Sequence, residues 1–309
     1  MAWIQAQVKD LECVFLTYDE PGADLQWERL QGLFQKVHRV HGVKGIDKAH
    51  KACADIACSE RILIVDGDNT INKNFLRQLV EYDDEKHNEV LSWSALNNVN
   101  GLMYGNGGPK LWPRQLLKNI KSHESAESPE WQVDFCFGVE YRPMPFCASY
   151  LWISGSPQQA FRAGFREGIK FCLNNGETPF QASDLIQKMP KGNLARLLIW
   201  CSVGRDVENG IWSMLGARLA IKFLLTGVIE PERINDYDWF RGIWNEDELI
   251  SLTNKDGTPC PKKADIKTRE LGTWLYEHIG LNILELEGKE LGFFRQIHVN
   301  PSRTPHLEY

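Results

Sequence analysis

The run Arg61-Ile62-Leu63-Ile64-Val65-Asp66-Gly67-Asp68 constrains this chain more than any other segment. An unbroken apolar stretch that follows Arg61 and stops at two acids around a glycine suits a strand buried on both faces, as in a parallel sheet. Such sheets bind ligands beyond the carboxyl ends of their strands. Two hard oxygen ligands at that edge suit Mg²⁺ or Mn²⁺, completed by water and phosphate oxygens. Gly67 removes a side chain at the bend. The tripeptide also admits other readings. A strand followed by Asp66-Gly67-Asp68-Asn69-Thr70 fits the nucleophile motif of haloacid-dehalogenase-type phosphatases, with Asp66 attacking phosphorus and Asp68 as acid/base. That fold needs a later closing acidic pair after an apolar strand, and Asp83-Asp84 follows too soon. A solvated or helix-capping loop is the bland alternative.

The flanking pattern alternates. Glu12 to Tyr18 reads as a short buried strand with a turn at Asp19-Glu20-Pro21-Gly22, Ala23 to Lys36 as a helix, and Val37 to Val43 as a second strand. Ile46 to Cys58 reads as a helix begun at Asp47, and Asn74 to Tyr82 as another. Strand and helix in alternation give an α/β layered domain. Val90 to Ala95 is a strand leading into the Gly/Asn-rich stretch Asn97 to Gly108, and Ser122 to Glu130 an exposed polar loop. Ser156 to Leu173, Leu194 to Val203 and Trp212 to Leu225 read as helices, and the pattern weakens after Ile229. No repeat or low-complexity linker interrupts the 309 residues, so the expectation is one compact unit: a catalytic domain over 1–225 completed by a C-terminal extension over 226–309.

The formal charge of −6 gives no global attraction to nucleic acid. Local basic segments are Lys110 to Lys121, with Arg114 and Lys118, and Arg162-Arg166-Lys170, whose spacing of four makes a stripe on one helix face. Eight cysteines without a CxxC pair argue against a zinc ribbon or disulfide framework and for reduced thiols in a cytoplasm. No apolar run approaches the roughly 18 residues of a membrane span, and Met1 to Lys9 is too short and mixed for a signal peptide. A soluble intracellular protein is expected. Eleven tryptophans serve core packing or act as platforms for flat ligands.

Several segments together resemble a known family. Phe15 to Asp24 with Trp27-Glu28, Val40 to Ile46 with Ala49-His50, Ile64 to Asp68, Asn100-Gly101-Leu102 with Tyr104 to Leu111, Ala163 to Lys170, and Asn209-Gly210 with Leu215 to Arg218 resemble the TET/JBP-associated GT-A glycosyltransferases of phages. These are similar to the phage enzymes that add arabinose to hydroxymethylcytosine. The resemblance spans roughly residues 12 to 220. It implies a GT-A glycosyltransferase fold, Rossmann-like, with a mixed, mostly parallel sheet flanked by helices and a helical C-terminal part. It also implies a UDP-sugar donor, Mn²⁺ or Mg²⁺, a hydroxymethylated pyrimidine (5-hydroxymethylcytosine) in phage DNA as acceptor, and the host cytoplasm as location.

Residue by residue, the resemblance puts Thr17, Tyr18 and Glu20 at the nucleoside, with Tyr18 stacking on a uracil. Asp66 and Asp68 fall at the metal and Asp66 at the nucleotide. Lys44, between two glycines, suits phosphate, and so does Arg166, while His50 is a ligand contact or a packed helix residue. Gly107 and Lys110 belong to a glycine-rich loop suited to the sugar or phosphate end of the donor. Direct inverting transfer needs a carboxylate to take the acceptor proton. Asp206 is the candidate base and Glu208 the second, with helix capping the alternative for Asp206. A late histidine joins the metal in many such sites: His298 is the candidate and His306 the fallback. A glycan, lipid or protein hydroxyl as acceptor, and a catalytically silent nucleotide-sugar-binding module, remain open alternatives.

Overall fold

A computed structural model describes residues 3–299 apart from 84, 106, 135–137, 177 and 246. Asp84, Asn106 and His306 lie outside the described residues. The described residues divide into two compact units, one of residues up to 97 with 103–152, the other of 98–102 with 153–299.

The first unit holds strands β1 (Trp3–Gln7), β2 (Cys13–Thr17), β3 (Val37–His41), β4 (Arg61–Asp66), β5 (Asn69–Ile71), β6 (Leu79–Asp83), β7 (Glu89–Asn97), β8 (Lys110–Pro113) and β9 (Glu140–Leu151). Its helices are α1 (Ala23–Gln31), α2 (Ile46–Ile56), α3 (Arg114–Asn119) and α4 (Pro129–Val133). Among the described residues, seven strands join one sheet in the order β3-β2-β4-β8-β7-β9-β5. β2 runs parallel to β3 and β4, and β7 parallel to β9. The pairs β4/β8, β7/β8 and β5/β9 are antiparallel. The sheet is therefore evenly mixed rather than mostly parallel, because β8 returns as a short antiparallel strand beside β4.

β4 is buried on both faces, as its apolar run requires. Leu63 and Val65 pack with Cys13, Phe15, Leu91 and Trp93, while Ile62 and Ile64 pack with Val14, Val40, Cys53, Ala54 and Trp112. One buried charge ties the strands together. Glu12 accepts from the backbone N–H groups of Cys58 and Ser59 and pairs with Lys36 at 2.9 Å. Burial pushes its carboxyl up, but hydrogen bonds from Ser59, Lys36 and Cys58 outweigh that and bring it down to about 2.

Two expected elements differ. Asn74 to Tyr82 is not a helix: a 3₁₀ turn at Phe75–Arg77 precedes β6, which pairs antiparallel with β1. Alternating burial along Leu79 to Tyr82 matches a strand period, and its partner is the mixed N-terminal segment. Ser122 to Glu130 is not simply an exposed loop, since Ser122 and His123 are buried against α2.

The second unit is helical: α5 (Pro157–Phe171), α6 (Leu185–Lys188), α7 (Lys191–Ser202), α8 (Gly210–Leu225), α9 (Tyr237–Ile243), α10 (Asp247–Ile250), α11 (Pro261–Ile279) and α12 (Lys289–Phe294). Ser156 caps α5 by accepting from Gln159 N. Fully buried Arg218 on α8 donates to the carbonyls of Cys201 and Thr268, joining α7, α8 and α11. Contacts divide the chain near Trp152. No helix among the described residues is long and apolar enough to cross a membrane.

Candidate functional site

Because β2, β3 and β4 are parallel, Thr17, His41 and Asp66 end at one edge of the sheet. Buried Thr17 receives Arg39 Nε at 3.1 Å on its hydroxyl, which lies 2.9 Å from His41 Nδ1. Arg39 is itself paired with Asp24 at 2.7 Å. The turn after Thr17 folds back so that Glu20 Oε2 accepts from Tyr18 N at 2.7 Å. A Cβ on Gly67 would lie 2.6 Å from that same Glu20 oxygen and 3.1 Å from Thr17 Cγ2. Gly67 therefore leaves room for the Glu20 carboxylate and the Thr17 methyl group to lie against the acidic turn. Tyr18 is half-buried.

On the opposite face, the register sets Lys110 across from Ile64. Side chains on one face reach diagonally to the residue two further on, and Lys110 Nζ lies 3.4 Å from Asp66 Oδ2 and 3.2 Å from Gly108 O. Lys110 is thus a buried strand residue rather than part of the glycine loop. Asp68 Oδ1 accepts from Asn69 Nδ2 at 3.0 Å, and the same nitrogen lies 3.1 Å from Gly107 O. Ser149 donates its hydroxyl to Asn69 Oδ1. Asn69, given no role of its own by the sequence, so ties the acidic turn to Gly107 and β9.

His50 is buried, its ring 5.6 Å from Trp112 and 6.2 Å from His123. Burial holds its pKa below the ordinary 6.5, with Asp66 pulling upward and Lys110 downward. The unfolded chain then binds the extra proton first, so stability falls as pH drops below about 6.5 toward the lowered folded value. His50→Gln is expected to flatten that slope, which one histidine makes no steeper than about 1.4 kcal/mol per pH unit. Urea midpoints between about pH 5 and 7 check it; an unchanged slope would contradict a neutral buried ring.

Lys44 is exposed beside the start of α2. At that start Asp47 N and Lys48 N donate to Glu124 at 3.1 and 3.2 Å. Asp47 itself pairs with Lys51 at 2.5 Å and accepts from Ser122 N.

In the second unit, the stripe on α5 is half-buried rather than solvated. The Arg162 guanidinium lies over the Tyr237 ring at 4.1 Å, Arg166 Nη2 is 3.4 Å from Asn235 Oδ1, and Lys170 is 3.6 Å from Glu167. Asp206 gives both carboxylate oxygens to Arg295, which also donates to Val99 O. The residue that caps α8 is Asn209, so Asp206 is not that cap. Glu208 is exposed. His298 lies 4.8 Å from the Phe294 ring. In the first unit, Lys118 pairs with Asp55 and Lys121 with Glu127, so that basic segment is interleaved with acids.

No family model matches the chain, and no curated protein matches it. Among solved structures, residues 1–349 of S. aureus TarS align at 12% identity and a TM-score of 0.32, covering 76% of this chain and 93% of that one. The same protein in complex with UDP-GlcNAc aligns at 13% identity and 0.32, covering 86% and 91%. Its complex with UDP aligns at 13% and 0.30, covering 75% and 90%.

Among the described residues no three His, Cys, Asp or Glu side chains form a metal-binding group. A divalent cation held by Asp66 and Asp68 would complete its shell with water and substrate phosphate. Mg²⁺ sites are commonly built that way, so the donor set fits the ion.

Proposed function

We propose that the first unit binds a UDP-sugar at the edge formed by Thr17–Glu20 and Asp66–Asp68, and that the protein transfers the sugar to a hydroxyl acceptor. The observation that carries this is that Glu20 lies against Gly67 at the sheet edge where parallel β2 and β4 end, so that half-buried Tyr18 and the Asp66–Asp68 turn follow neighbouring strands. Tyr18 would stack on the base, with Glu20 fixing the turn beneath it. Asp66 and Asp68 would hold Mn²⁺ or Mg²⁺. Such an ion supplies a Lewis acid for the departing diphosphate. Lys110 would add a second positive charge next to Asp66, and Gly107, held by Asn69, would border the sugar end. Lys44, His50, Arg166 and His298 stand as proposed donor or metal contacts. Asp206 is the proposed base, and to accept a proton it must leave Arg295; Glu208 is the second candidate. The proposed acceptor, the hydroxymethyl group of 5-hydroxymethylcytosine in DNA, comes from the resemblance of the sequence alone.

Thermal unfolding with UDP, GDP and CDP, each with and without Mn²⁺, tests the donor. UDP with Mn²⁺ is expected to stabilise by about 2.7 kcal/mol at a hundredfold excess over Kd, and Asp66→Asn to lose that gain. Radiolabelled sugar should then reach hydroxymethylated DNA. Transfer only to a glycan, lipid or protein would replace the DNA acceptor. Hydrolysis of a phosphate ester that vanishes in Asp66→Asn would instead favour the phosphatase.

A further inference from the structure

Lys110 stands in the sheet interior with its side chain only 10% exposed. A buried ammonium is costly unless a counter-charge and hydrogen bonds compensate it. Here the compensation is Asp66, itself 39% exposed at the sheet edge, together with the carbonyl of Gly108. Asp66 is also the first acid of the turn that would hold a divalent cation. Ammonium and cation therefore draw on one carboxylate, while Asp68 accepts from Asn69.

We propose that Lys110 makes cation binding at Asp66 conditional on the nucleotide, an inference that rests on the UDP-sugar reading above. In the free protein the ammonium already neutralises Asp66, so a cation gains little from that carboxylate and is repelled by the neighbouring positive charge. A diphosphate changes the balance. Its oxygens give Lys110 a second acceptor and give the cation further ligands, so both positive charges are accommodated. Cation and nucleotide then bind with positive coupling, and each tightens the other by the same factor. Lys110 acts here as a positioning residue and a charge gate.

The test measures free Mn²⁺ by its electron paramagnetic resonance signal, with and without UDP, in the intact chain and in Lys110→Met, Lys110→Arg and Asp66→Asn. In the unmodified protein UDP is expected to tighten Mn²⁺ by roughly tenfold or more. Lys110→Met should bind Mn²⁺ alone about tenfold more tightly than the unmodified protein, with smaller coupling to UDP. Lys110→Arg should keep the original pattern. Unchanged or weaker Mn²⁺ binding by folded Lys110→Met would overturn the gate and leave the donor reading standing. Additive binding of Mn²⁺ and UDP in the unmodified protein overturns it without any variant. If Asp66→Asn binds Mn²⁺ as the unmodified protein does, the metal assignment fails and the gate with it, while UDP binding without Mn²⁺ still reports on the nucleotide.

Discussion

Gly164→Ala is expected to destabilise the protein by on the order of 3 kcal/mol. Gly164 and Gly168 on α5 face Gly216, Ala217 and Ala220 on α8. A Cβ on Gly164 would overlap the carbonyl of Ser213, and one on Gly216 the carbonyl of Phe161. One on Gly168 would lie 2.7 Å from Ala217 O and 2.8 Å from Ala220 Cβ. The obstructing atoms are almost all helical backbone, which cannot turn aside as a flexible side chain can. The methyl group must push the helices apart, loosening buried Phe161, Phe165, Met214 and Leu215. Gly192→Ala on α7 is the control: its Cβ would meet nothing within 4 Å, and helix propensity predicts a gain of up to about 1 kcal/mol. Urea unfolding of both variants separates the effects. A Gly164→Ala protein as stable as the parent would refute the close crossing.

The same crossing bears on what the sequence could say. Ala163 to Lys170 and Leu215 to Arg218 carried part of the family resemblance, and the glycines there are accounted for by helix packing, with Arg218 accounted for by a buried network. β4 was legible because an apolar run buried on both faces leaves the same trace wherever it occurs. The acidic turn followed from where the run stops. Contacts set by register or by distant partners left no local trace. Lys110 reaches Asp66 only because β8 pairs with β4, and Glu124 caps α2 from 77 residues away. Asp206 looked like a base or a cap, while its partner Arg295 lies 89 residues on. β6 was misread because its partner strand, Trp3–Gln7, is too mixed to announce itself. Asn69 could have been found: a polar side chain directly after an acidic pair, opening a strand, is a natural clamp for the carboxylate before it.

Glu285→Ala is expected to cost about 2 to 3 kcal/mol: Arg218 is fully buried, but Glu285 is 31% exposed, so the loss falls below the range for stripping one partner from a wholly buried ion pair. Its carboxylate lies 2.5 Å from Arg218 Nη1 and 2.5 Å from Arg205 Nη2. Arg218 has no exposed side-chain surface and cannot turn to water. Its remaining acceptors are the carbonyls of Cys201 and Thr268, which offer hydrogen bonds but no full negative charge. Arg205 keeps Asp265 at 2.7 Å, so the strain falls chiefly on Arg218. A Cβ on Gly272 would come within 2.6 Å of Arg218 Nη1 and 2.8 Å of Glu285 Oε1, so α11 has left the pair just enough room. Burial raises the Glu285 pKa, but Arg218 and Arg205 outweigh it and hold the carboxyl below its usual range. That contribution is full above the ordinary carboxylate value of 4.5 and is lost as pH falls through the lowered one. Glu285→Ala should therefore lose the most stability, relative to the parent, near neutral pH, and the gap should narrow in acid. Arg241→Ala, which breaks an exposed pair with Asp238, should cost less than about 1 kcal/mol. High salt should shrink the Arg241 effect and leave the Glu285 effect largely in place, since ions screen exposed charges far better than buried ones. Equal costs for the two variants would mean that Arg218 finds water or another acid once Glu285 is gone, and that the network joining α7, α8 and α11 is looser than its geometry.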